Sequence, residues 1–215
     1  DFRQHLLHFN RQAAKRNPVF LDSLTADSEL DLDGLLAKAI QTNDDDVRRI
    51  ALEYLPLTYS RRHGDPTRPW NSFSIDFFGS DGTESLCYEG NWRDIFQNWE
   101  ALSWSFPNFL QSMVFRFLNA STADGYNPYR VNKGGFEWET IDPNDPWGNI
   151  GYWGDHQIIY LLKLLECSQD FHPAELDKWL GTECCAYAQV PYRIRGFEAI
   201  RRDPQTTIDF DHDLA

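Results

Sequence analysis

Apolar residues recur at helical spacing along most of the chain, and the intervals between these runs set its organisation. In DFRQHLLHFNRQAAKR (1–16), Phe2, Leu6, Leu7 and Phe9 give one apolar side, which predicts a helix. LDGLLAKAIQ (32–41) and DDDVRRIALEYL (44–55) predict two short helices or one broken helix. Asp44, Asp45 and Asp46 suit a helix start, where the backbone dipole favours negative charge, and Pro56 ends the run. WRDIFQNWEALSWS (92–105) and PNFLQSMVFRFLNAS (107–121) predict an αα-hairpin with a very short turn. DHQIIYLLKLLECSQ (155–169) and HPAELDKWLG (172–181) predict a second one, stopped at Gly181.

Two long stretches lack this period. Residues 56–91 are rich in Pro, Gly, Ser and Asp, with SFSIDF as a possible short strand. Residues 122–154 carry many turn signals. The tail from Thr182 reads as irregular, with AYAQVPYRIRGF part strand-like. The expected fold is mainly α, built of antiparallel helical hairpins with long loops and little strand. It divides as one domain, 1–215: a helical lead-in (1–55), a long loop (56–91), two hairpins (92–181) and an irregular tail (182–215). Irregular segments as long as these are usually functional or flexible.

Composition narrows the function. With 41% hydrophobic and 25% charged residues, a packed core is expected and global disorder is not. The net charge of −13 repels phosphate backbones, so nucleic acid is set aside as a partner. No apolar run approaches the ~20 residues of a membrane helix, and no signal-peptide pattern opens the chain. Cys87, Cys167, Cys184 and Cys185 lack metal-ligand spacing, so free thiols in a reducing cytoplasm are expected, with no metal and no cofactor. Eight tryptophans require either a thick core or an aromatic-lined cleft. The chain opens at Asp1 and has one methionine, Met113, which we read as excision from a longer protein.

One frame occurs twice. EGNWRDIF and NIGYWGDHQII share Gly-x-Trp-x-Asp before an apolar helical run, with Gly90, Trp92 and Asp94 matched by Gly151, Trp153 and Asp155, 61 residues on. Hairpins repeated at such a period stack into solenoids or close into toroids. Each residue has a structural role open to it: the acids as first-turn caps, the glycines as tight turns, the tryptophans as core anchors. The functional alternative is a sugar cleft. Glycosidic cleavage needs a carboxylic acid and a partner, either a second carboxylate or phosphate, while aromatic rings bind the C–H faces of sugars. Asp94, Asp155 and Glu89 are the candidate catalytic acids, with Glu139 as a further rival. Trp92, Arg93, Tyr126, Arg130, Tyr152, Trp153 and His156 are the candidate substrate contacts, and Asn127 and Tyr129 lie among them. Arg61, Arg62, His63 and Arg68 form a local basic cluster, either paired with the abundant acids or serving as an anion clamp.

RRHGDPTRPWN, YEGNWRDIFQNWEAL, ASTADGYNPYR and NIGYWGDHQIIYLLKLLE, spanning Arg61 to Leu165, resemble a stretch of large bacterial proteins. These are in turn similar to the alpha/alpha-toroid enzymes of the six-hairpin glycosidase superfamily, cellobiose phosphorylase-like enzymes among them. The resemblance implies an inner ring of helices whose N-terminal ends face a sugar cleft, with Asp94 and Asp155 near it. The chain departs from that pattern in lacking the W-N-D-G-type segment of the phosphorylases, of which YWGD is a loose echo. A full ring also needs more helices than this pattern predicts. The expectation is a fragment of a carbohydrate-active enzyme, a hydrolase or phosphorylase, whose partners are an oligosaccharide or glucan, phosphate, and the rest of its own chain or a second copy. The alternative is a non-catalytic sugar-binding or structural hairpin domain.

Overall fold

The computed structural model describes residues 2–26, 30–55, 80–82, 90–132, 135–140, 142–144 and 157–215. The fold is mainly α, with ten α-helices and five short strands among these residues. The predicted SFSIDF strand and the second Gly-x-Trp-x-Asp frame lie outside them.

The lead-in holds five helices: α1 (Phe2–Phe9), α2 (Arg11–Arg16), α3 (Pro18–Ala26), α4 (Leu32–Gln41) and α5 (Asp45–Leu52). The sequence pattern predicted one helix over 1–16. It is broken at Asn10, whose side chain accepts from Ala13 N–H at 3.0 Å and so caps α2. Asparagine competes with the helical backbone in this way, which favours a cap over a helix interior. Asp31 caps α4 through Gly34 N–H, and Asp44 caps α5 through the N–H groups of Asp46 and Val47. Phe2, Leu6, Ala13, Leu35, Val47 and Ile50 close a core within these helices.

A second core lies among the hairpins. It is formed by α6 (Trp92–Ser103), α7 (Leu110–Ala120) and α8 (Ile158–Phe171), with α9 (Glu175–Leu180) folded back on α8. A single 3₁₀ turn, Pro107–Phe109, leads into α7. Trp92, Phe96, Leu110, Met113, Phe117 and Leu164 are fully buried at its centre. A buried ionic contact joins the two cores. Glu53, at the end of α5, accepts from Arg49 at 3.1 Å and from Asn119 of α7 at 3.1 Å, and pairs with Arg116 of α7 at 3.5 Å.

Sheet occurs in the stretches expected to be irregular, and in the tail one strand falls where AYAQVPYRIRGF reads as part strand-like. β1 (Gly90–Asn91), β2 (Arg130–Asn132) and β3 (Gly135–Glu137) form an antiparallel sheet in that order, with Gly90 opposite Val131 and Arg130 opposite Glu137. In the tail, β4 (Tyr192–Ile194) and β5 (Ile208–Phe210) pair antiparallel around α10 (Phe197–Arg202). Tyr192 and Ile208 bury against Tyr126, so these strands are held by a third, small core. Strands of two or three residues are too short to show an alternating pattern, and pairing with a partner strand selects them.

Candidate functional site

The candidate site is the junction where β1 runs into α6. Asn91 occupies the cap position in extended conformation but makes no side-chain cap bond. The first helical N–H, that of Trp92, is instead satisfied by the carbonyl of Tyr129 at 2.9 Å, immediately before β2. Tyr129 N–H donates in turn to Glu137 O at 2.8 Å. The sheet therefore fixes the start of α6 against the Tyr129–Arg130 segment. Gly90 is a strand residue here, and it is not among the glycines with positive φ, so its expected role as a tight turn is corrected.

Asp94 lies in the first turn of α6, as its spacing predicted. Its carboxylate is 3.5 Å from Arg93 Nε, and both side chains are largely buried. The Tyr129 phenol is the group on which the local charges converge. Its pKa is raised above the ordinary value, first by burial; Arg130 opposes the rise, while Glu139, Asp94 and Glu137 add to it. Arg130 is half-buried, and its Nε has no hydrogen-bond partner among the described residues. A phenol that stays protonated, a guanidinium with an unused donor and a first-turn carboxylate together suit recognition of hydroxyl or anionic groups.

Two of the expected substrate contacts occupy other places. Trp92 is 0% exposed, its indole packed among Phe96, Phe117 and Phe136 at centroid distances of 4.5, 5.3 and 5.6 Å. It is the core anchor that its spacing also allowed, and as placed it offers no open face to a sugar. Tyr126 is also buried, and its hydroxyl donates to Glu139 Oε2 at 2.7 Å. Gly125, at φ +96°, makes the turn that brings Tyr126 back onto Thr122. Trp138 and Tyr192 complete an aromatic cluster around Tyr126, and Tyr192 donates to the Glu139 carbonyl at 2.9 Å. Asn127 donates to Ser121 Oγ at 2.7 Å inside the same buried region.

Arg93, Asp94 and Arg130 are thus brought to one junction, and Tyr129, noted only in passing from sequence, stands at its centre. Glu89, Tyr152, Trp153, Asp155 and His156, with the basic cluster of Arg61, Arg62, His63 and Arg68, lie outside the described residues. Sequence reasoning missed Arg116, although an arginine within the apolar run MVFRFLNA is a signal of a paired buried charge. No group of His, Cys, Asp or Glu among the described residues is placed to hold a metal ion. Among the same residues, no helix is long and apolar enough to cross a membrane.

The mainly helical fold and this junction define a class of helical-hairpin proteins. Comparison with protein families makes the lead-in more specific. Residues 1–56 match the model of glycoside hydrolase family 149 insertion domain 1, which marks a glycoside hydrolase-related segment. The matched boundary falls just beyond α5, where the first core ends. No curated protein matches the chain.

Proposed function

We propose that this chain is part of a carbohydrate-active enzyme, a glycoside hydrolase or phosphorylase that cleaves a glucan or oligosaccharide by general acid catalysis. The observation that carries the reading is the match of residues 1–56 to an insertion domain of a glycoside hydrolase family. The lead-in is then an accessory helical unit set beside hairpins that carry the sugar site, in the toroidal arrangement that the sequence resemblance implies. Asp94 acts at the substrate as acid, base or hydroxyl ligand. Asp155 and Glu89 are its candidate partners, and Arg93, Arg130 and Tyr129 bind substrate hydroxyls. Tyr152, Trp153 and His156 complete the sugar site, and Arg61, Arg62, His63 and Arg68 hold an anion such as phosphate. The free thiols Cys167, Cys184 and Cys185 support a cytoplasmic setting.

The test uses the complete polypeptide that carries this chain, incubated with gluco-oligosaccharides with and without phosphate. Products are resolved by chromatography. Asp94→Asn lowers kcat by about 100-fold or more if Asp94 transfers a proton, and Arg130→Ala raises KM with a smaller effect on kcat. Unchanged turnover in Asp94→Asn with weakened binding leaves Asp94 as a ligand contact only. Absence of turnover and of sugar binding overturns the reading. The burial of Trp92 and Tyr126 favours a second reading in which this part of the chain is structural. Under that reading Asp94→Asn changes stability and no property of a sugar complex.

A further inference from the structure

A strap of extended backbone follows α9 and crosses back to the two cores. Thr182 N–H donates to Trp179 O at 3.1 Å and Thr182 Oγ1 to Lys178 O at 2.8 Å, which closes the helix end. Glu183 O accepts from Arg48 of α5 at 3.5 Å. Ala186 N–H donates to Asn119 Oδ1 of α7 at 2.8 Å, and Ala188 N–H donates to Ser121 O at 2.8 Å. The strap is thus fixed on both sides of Cys184 and Cys185. Asn119 matters beyond the strap, because its Nδ2 donates to the buried Glu53 that joins the two cores.

The adjacent thiols differ from Cys167, which is buried in the second core. Cys184 is partly exposed and Cys185 exposed, and both are free. Their sulfurs are in contact. The Cys185 S–H donates to the Cys184 sulfur, and the Cys184 S–H donates to Trp179 O at 4.0 Å. Screening of its sulfur from water, and then the Cys184 neighbour, pushes the Cys185 thiol from 9.0 up to about 11. It therefore rests protonated, which does not suit a catalytic nucleophile. Nor do the thiols belong to a metal cluster, since no group of three or more His, Cys, Asp or Glu is so placed among the described residues.

We propose that Cys184 and Cys185 are a redox-modifiable dithiol, which closes into a disulfide by exchange with a small-molecule disulfide and loosens the strap from α7. The Cys185 sulfur loses its proton and attacks one sulfur of the small disulfide, whose S–S bond breaks. The departing small thiolate takes up that proton. The Cys184 sulfur then displaces the second small thiolate, which leaves with the Cys184 proton. Two protein S–H bonds are exchanged for one S–S bond, and the small disulfide is reduced to two thiols. Adjacent Cα atoms lie about 3.8 Å apart, short of the usual span of about 4.4–6.8 Å across a disulfide. Closure therefore bends the backbone between Glu183 and Ala186, where the ties to α5 and α7 begin, and the bond stays easily reduced.

The reduced 215-residue chain is incubated with glutathione disulfide, its remaining thiols are alkylated, and its tryptic peptides are weighed without reduction. The peptide Trp179–Arg193 holds Cys184 and Cys185 and no other cysteine. The expected result is that this peptide loses two hydrogens and gains no alkyl group. The oxidised chain melts about 2 °C or more below the reduced one, and dithiothreitol restores both readings. Cys184→Ser instead keeps glutathione on Cys185, and its melting temperature changes less on oxidation. A parent peptide that stays fully alkylated, one that retains glutathione, or a bridge to Cys87 or Cys167 overturns the dithiol. Closure with an unchanged melting temperature overturns its effect on the strap. Neither reading involves turnover, so the outcome is independent of the proposed enzyme activity.

Discussion

Trp92 and Arg130 meet at one short junction and have opposite surroundings. Trp92 spends its whole ring on packing, whereas Arg130 keeps an unused donor. Trp92→Ala should therefore cost about 3–5 kcal/mol in denaturant unfolding, the range for emptying a large aromatic from a packed core. Arg130→Ala should lower the unfolding midpoint less than Trp92→Ala, because it removes a half-buried guanidinium whose Nε has no hydrogen-bond partner among the described residues. His5 shows what burial does to a single titrating group. Its pKa is lowered from 6.5 to about 3, first by burial and then by the charges of Arg116 and His8, and its Nε2 has no partner among the described residues. Below pH 6.5 the unfolded chain takes up a proton at His5 that the folded chain refuses down to about pH 3. Stability from this group is full above pH 6.5 and falls steadily between pH 6.5 and 3. His5→Phe should flatten that part of a melting-temperature profile measured between pH 7 and 4.

At the scale of elements, helix caps and charge pairs hold the lead-in together. Asp44 caps α5 and also receives Arg16 Nε at 2.9 Å and Asn17 Nδ2 at 2.8 Å, so one carboxylate ties α2 to α5. The Arg16 bond is the largest cause of its pKa falling from 3.8 to about 2, with Asn17 and the Val47 N–H adding to it and burial opposing it. Because the folded value is the lower one, this stabilisation is complete above pH 3.8 and is lost as pH falls through about 2. Asp44→Asn keeps a capping oxygen but removes the ion pair. It should lower the melting temperature at pH 6 and erase the extra loss that the parent chain suffers between pH 4 and 2. The helix start at Asp44 was legible in the sequence because capping is a local contest between side chain and backbone. β1 was not, because its partner lies about forty residues away, from Gly90 to Val131.

In the whole molecule the two cores meet at Glu53, which is 7% exposed. Arg116 approaches it from α7 and lies over the rings of Phe9 from α1 and Phe136 from β3, at 5.5 and 4.9 Å. Glu53→Leu leaves a buried guanidinium without its carboxylate and should cost about 3–5 kcal/mol by chemical denaturation. Arg116→Leu should cost less, because Glu53 keeps Arg49 and Asn119. Equal losses would show that the contact between the cores does not rest on charge. The helices α4 to α9 and the first-turn place of Asp94 were legible in the sequence alone, since helical periodicity and capping depend on neighbours within a few residues, whereas α3, α10 and the break between α1 and α2 were not. Whether Trp92 is a core anchor or a sugar platform could not be read there, because an aromatic residue buries equally well in either and only its neighbours in space decide. Tertiary structure alone turned Gly90 into a strand, gathered charge around Tyr129, set Arg116 on Glu53 and opened a groove between the lead-in and the hairpins. Each of these joins residues from distant parts of the chain, and such pairings are set by packing rather than by local pattern.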